Sequence, residues 1–186
     1  MLSNVLRNIP VLVATVVLFA APVLADGADR KDLQMFNDIS KSVNRYTQFT
    51  IFDDVAIAVK DGIVTLTGRV TMPYKHDDIV KRVAKIDGVQ QVRDEITVLP
   101  ASLLDEELRY RIARSIYGNA NFWNYGLGPN PSIHVIVERG HVTLTGVVNS
   151  DVDRMMANVI ARQFLAFSVT NNLKTEAEAR EALEKL

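Results

Sequence analysis

Few side chains in this sequence are suited to acid–base or metal chemistry. The chain holds three histidines, His76, His134 and His141, and no cysteine. If Arg139-Gly140 turns a hairpin, His134 pairs beside Thr145 and His141 beside Glu138, on one outward face but about 13 Å apart along the strands. That separation denies them a shared metal ion. Asp77 and Asp78 follow Pro73 and are expected in the first turn of a helix, where the dipole favours acids. Asp53-Asp54 and Glu106-Glu107 read most simply as solvated pairs. No nucleophile is spaced with a base, and no glycine-rich loop opens a helix as a nucleotide site would. The expectation is a non-enzymatic protein without catalytic residues, metal or cofactor.

Binding chemistry has a better candidate in residues 119–131, NANFWNYGLGPNP. Asparagine, glycine and proline make this stretch a loop, yet it carries the chain's single tryptophan, Trp123, with Phe122, Tyr125 and Leu127. Two readings compete. The aromatics fold back to fill an edge or seam, as large apolar residues usually do. Alternatively they stay exposed and enter a lipid headgroup region, which suits Trp and Tyr. In that second reading Arg109, Arg111 and Arg114, on the preceding helical stretch, face anionic headgroups.

The elements that hold these residues come from a duplication. VKDGIVTLTGRV at 59–70 returns as VERGHVTLTGVV at 137–148, with Gly62 over Gly140 and Gly68 over Gly146. Apolar residues alternate with polar ones on both sides of Asp61-Gly62, which predicts a hairpin with a type I′ turn. Val59 then sits opposite Val64 and Ile57 opposite Leu66, with all four on the core face. Arg139 suits positive φ less well than Asp61, which leaves the second turn type open. Gly68 and Gly146 mark a bulge or the close approach of a helix backbone, with the approach of a ligand as the alternative.

Helical spacing precedes each hairpin, through Phe36, Ile39, Val43 and Tyr46 and through Leu104, Leu108, Ile112 and Ile116. It also follows each one. Pro73 starts a helix carrying Ile79, Val80, Val83 and Ile86, and Gly88 stops it. Asp151 is the expected N-cap of its counterpart, whose stripe is Val152, Met155, Met156, Val159, Ile160 and Phe164, with the Met pair as core filler. Short strands, Val89–Val98 and Phe167–Leu173, close the units. The fold class is α+β: two tandem α-β-β-α-β units at 31–99 and 103–175, each a three-stranded sheet with both helices on one face. Residues 176–186 form a helical tail, with Ala179, Leu183 and Leu186 on one face.

These glycine and hydrophobic positions, with Gly88-Val89-Gln90-Gln91-Val92 and Val169-Thr170-Asn171-Asn172-Leu173 after each helix, resemble the BON domain. A tandem pair behind a leader resembles the osmotically induced periplasmic and outer-membrane dual-BON proteins. The resemblance implies a non-enzymatic module of bacterial envelopes, associated with phospholipid binding, envelope integrity, stress and, in some members, protein partners. The chain departs from the lipoprotein branch in lacking a lipidation cysteine. The copies also differ, with Thr170-Asn171-Asn172 in one against Arg93-Asp94-Glu95 in the other.

Composition agrees with a globular, exported protein: 186 residues, 48% hydrophobic and 23% charged. Arg7, the apolar run Ile9–Ala21 and Val23-Leu24-Ala25 resemble a signal peptide cleaved before Asp26, with Pro10 and Pro22 bracketing the run too closely for a membrane span. Losing Arg7 moves the net charge from −1 to −2, which offers nucleic acid no attracting field. The expected product is periplasmic, without a transmembrane span, and it binds anionic phospholipid or an envelope protein through the second unit. The alternative is a stress-induced structural or chaperone-like module whose outward sheet faces, Ile136 and Val147 among them, pack on each other or on client proteins.

Overall fold

The computed structural model describes residues 26–127 and 130–184; the expected leader at 1–25 and Leu186 of the tail lie outside them. In the first unit α1 (Asp26–Asn44) leads to a hairpin of β1 (Asp54–Lys60) and β2 (Ile63–Val70). Asp61 and Gly62 take φ of 51° and 76°, the two positive values a type I′ turn requires. The register places Val59 opposite Val64 and Ile57 opposite Leu66, as alternation predicts. Next, α2 (Pro73–Val83) carries the chain back so that β3 (Gln91–Val98) runs parallel to β2, giving the sheet order β1-β2-β3. Parallel neighbours need such a crossover, and the helix supplies it.

The second unit repeats this plan. It comprises α3 (Leu103–Tyr117), β4 (Ile133–Glu138), β5 (His141–Val148), α4 (Asp151–Ala161) and a third strand broken into β6 (Ser168–Asn171) and β7 (Lys174–Thr175), both parallel to β5. Arg139 and Gly140 have φ of 50° and 77°, so the second turn is the same type as the first. Each turn is held by a carboxylate from the unit's first helix. Asp32 accepts from the Asp61 and Gly62 amides at 2.8 and 3.4 Å, and Asp105 from Arg139 and Gly140 at 2.7 Å each. This pairing explains how Arg139 is tolerated at positive φ, because charge-assisted bonds fix the turn amides.

Several sequence expectations need correction. Gly68 and Gly146 face neither a bulge nor a helix: a Cβ there would stand 2.1 Å from the Asp54 carbonyl oxygen and 1.9 Å from that of Ser132, across an unbroken register. The partner strand's backbone is what approaches. Asp77 and Asp78 lie beyond the first turn of α2, which has no acidic residue, so they do not cap it. Helix α2 also ends at Val83, ahead of Ile86 and Gly88. Ser150, not Asp151, caps α4, accepting from the Asp153 amide at 3.2 Å. Leu104 is exposed, as are Val152, Met155 and Val159, so half of the α4 stripe points outward and only Met156 of the Met pair packs on the core.

Each unit has its own core. Ile39, Val64, Leu66, Ile79 and Val83 anchor the first, and Ile112, Ile116, Phe122, Val135 and Leu144 the second. The C-terminal α5 (Glu176–Glu184) buries none of its residues. It starts at a reciprocal Thr175–Glu178 capping box and is tied back by Arg154 to Glu178 at 2.9 Å. Leu99 N–H donates to the Val70 carbonyl and Ser102 Oγ caps α3, so the link between units is bonded at both ends.

Candidate functional site

The 119–131 loop divides its apolar residues between inside and outside. After α3 ends at Tyr117, a short 3₁₀ turn, Trp123–Gly126, alternates them. Phe122 is fully buried and Tyr125 nearly so, while Trp123 and Leu127 are 63% and 64% exposed. Tyr125 is drawn in by polar partners. Its hydroxyl accepts from the Asn149 amide at 2.8 Å and donates to Asp153 at 2.8 Å, and Ser150 Oγ donates to the same carboxylate. Burial raises the Tyr125 pKa, opposed by the Asn149 bond and reinforced by Asp153. Tyr117 bridges the loop's far end, donating to the Ile133 carbonyl, with its pKa pushed up to about 12 by burial.

The three arginines do not share one surface. Arg111 and Arg114 are exposed on α3, with Arg111 5.5 Å above the Phe164 ring and 3.7 Å from Glu107. Arg109 is buried, 7% exposed, and donates to the Val137 carbonyl at 3.3 Å. It therefore cannot meet headgroups beside the other two. What sequence reasoning missed is the outward stripe Val152, Met155 and Val159 of α4, near the loop through the Asn121 side chain, which contacts Met156 Sδ. The signal lay in the repeat. The matching α2 positions are Tyr74, Asp77 and Lys81, two of them charged.

The remaining polar candidates serve structure. Asp53, expected in solvent, is fully buried in an ion pair with Lys75 at 2.7 Å. Thr50 and Thr71 complete its shell through amides and hydroxyls at 2.7–2.8 Å. Burial works against the charged form, yet Lys75 and these donors outweigh it and hold the Asp53 carboxyl below its ordinary pKa. His76 lies between Asp77 and Asp94 at 2.9 and 2.7 Å; the Asp77 bond foremost, against a desolvation cost, raises its pKa. His134 faces the Asp53 carbonyl and His141 the Ser168 hydroxyl. Among the described residues no group of three or more His, Asp or Glu could hold a metal ion.

The units meet along β4. Its edge amide at Val135 donates to the Ile51 carbonyl at 2.8 Å, the His134 ring lies 5.6 Å from that of Phe49 and tilted to it, and Glu138 lies 3.9 Å from Arg69. Phe52 meets Tyr110 edge-on at 4.7 Å. Ile136, between these contacts, is buried, so it is not free to hold a client; Val147 is half-buried.

A family model described as the BON domain matches residues 38–100 and again 107–177. No curated protein matches the chain. Among solved structures, CdsD, a structural protein of the type III secretion system of Chlamydia trachomatis, is 13% identical over 79% of this chain and 97% of its own, with a TM-score of 0.27. Its C-terminal domain is 13% identical over 73% of this chain and 96% of its own, with a TM-score of 0.26. Among the described residues no helix is long and apolar enough to cross a membrane.

Proposed function

The chain belongs to the BON domain family, carrying two copies of the domain, and from that premise we propose a non-enzymatic, exported envelope protein that binds anionic phospholipid through its second copy. The observation that supports this reading is the segregation of exposed apolar side chains. Trp123 and Leu127 on the loop and Val152, Met155 and Val159 on α4 give the second copy an outward apolar surface, with Arg111 and Arg114 available on α3. The matching positions of the first copy are Tyr74, Asp77 and Lys81, two of them charged. Exposed apolar side chains with arginines on a neighbouring helix suit the bilayer interface: the rings and aliphatics displace water among headgroups, and the arginines meet lipid charge. Residues 1–25 would deliver the protein to the periplasm, where it supports envelope integrity under stress.

Co-sedimentation with vesicles of neutral phosphatidylcholine, and of the same lipid mixed with anionic phosphatidylglycerol, tests the reading. Binding is expected to require the anionic lipid. Arg111→Ala should weaken it about fivefold, the worth of one interfacial cation, and Trp123→Ala should weaken it as well. No binding to either vesicle, or binding indifferent to both substitutions, overturns the lipid reading in favour of a protein partner.

A further inference from the structure

A cleft of about 510 Å³ opens between the two copies, away from the Trp123 loop. Its walls mix polar with apolar groups, the apolar ones being Phe52, Met72, Tyr74 and Leu99 from the first copy and Leu103 and Tyr110 from the second. Met72, Tyr74, Leu103 and Tyr110 are large hydrophobic side chains left substantially exposed there. The volume falls in the range of small-molecule sites, roughly 300–1,000 Å³.

Two cations lie deep in its lining, Lys75 and Arg109, both over nine-tenths buried. They differ in one respect. Lys75 is neutralised by Asp53 at 2.7 Å. Arg109 has no ion pair among the described residues; its one bond is to a backbone carbonyl, and its Nε has no hydrogen-bond partner. The carboxylate one turn back, Asp105, is committed to the Arg139 and Gly140 amides. Glu106 lies at the cleft but forms no ion pair with Arg109 among the described residues. A buried guanidinium with an unfilled donor and no direct ion pair is costly, and a planar carboxylate is the group its fork fits.

We propose that this cleft binds a small amphiphilic monocarboxylate, with the carboxylate as a direct ion-pair partner of Arg109 and an aliphatic or aromatic tail against Tyr74, Leu103 and Tyr110. A single charge is favoured over a phosphate dianion, because one cation is unpaired and Glu106 adds a negative charge to the lining. The site is distinct from the lipid surface proposed above and does not depend on it.

Sodium decanoate below its micellar concentration, with decanol as the uncharged control, probes the site in the purified chain. Decanoate is expected to bind saturably and raise Tm, to shift the Arg109 Nε–H resonance, and to bind at least about tenfold more tightly than decanol. Arg109→Met should abolish that preference. Leu103→Ser with Tyr74→Ser, both at exposed positions, should weaken decanoate several-fold, while Trp123→Ala leaves it unchanged. Should Arg109→Met fail to fold, the wild-type resonance shift and the decanol comparison decide. Absence of saturable binding, equal binding of decanol, or a decanoate response that leaves the Arg109 resonance unmoved overturns the proposal.

Discussion

Asp53 shows what a short polar pair conceals in sequence. Beside Asp54 in a loop it reads as solvated, and nothing local separates the two. Its partner Lys75 lies 22 positions on, and only the return of the chain at the start of α2 brings them together. Once both are enclosed, removing one partner leaves a buried charge unmatched, the condition that makes ion pairs costly to break. Asp53→Ala is expected to lower unfolding free energy by about 3–5 kcal/mol, and adding Lys75→Met should recover part of that loss. Urea titration of the three chains checks this; a cost for Asp53→Ala below about 1 kcal/mol, as surface pairs show, would contradict it. The pH sign follows from the depressed carboxyl. Its stabilisation is present above the ordinary value of 3.8 and is lost as pH falls through the lower folded value.

The hairpins were the most legible elements, because period-two alternation around Asp61-Gly62 fixes faces and register together. The helices' outward faces were less so. An apolar stripe as broad as that of α4 looks like core, and whether one side of it is covered depends on packing that no local pattern encodes. The aromatic loop was half legible for a related reason. In the first copy the Thr71 amide is satisfied by Asp53, which also holds Lys75. In the second, the Asn149 amide is satisfied by Tyr125, which also holds Asp153. The same two positions, 71 and 75 in one unit and 149 and 153 in the other, are thus met by a carboxylate in the first and by a phenol in the second. That exchange draws Tyr125 inward while Trp123, two residues earlier, stays out.

The recurring Gly68 and Gly146 belong to this element scale too. At φ of 126° and 114°, with a carbonyl oxygen where a Cβ would stand, alanine must both strain its own backbone and displace the paired strand. Gly68→Ala and Gly146→Ala should each cost more than about 2 kcal/mol. Gly126→Ala, whose nearest neighbour is a Tyr117 side-chain atom at 3.3 Å, should cost within about 1 kcal/mol. Chemical denaturation of the three variants would contradict this account if their costs were equal.

At the scale of the molecule, two separate cores raise the question of how independently the copies behave. Sequence placed them close together through the short Pro100-Ala101-Ser102 link, but it did not show that the 46–53 loop of the first copy completes the edge of the second. That contact is long-range: Ile51 satisfies Val135, Phe52 meets Tyr110, and Phe49 lies beside His134. An uncovered β4 would present an unpaired, apolar strand edge, the feature that invites association between chains. The first copy therefore covers what the second would otherwise expose, and unfolding of the two should be coupled. Scanning calorimetry of the whole chain is expected to show one transition. Phe52→Ala removes about 1 kcal/mol of half-buried aromatic packing, which should lower the second copy's melting by about 4–8 °C and split the transition in two. Two well-separated transitions in the unaltered chain, or a Phe52→Ala profile that shifts without splitting, would show that the seam does not couple the copies in this way.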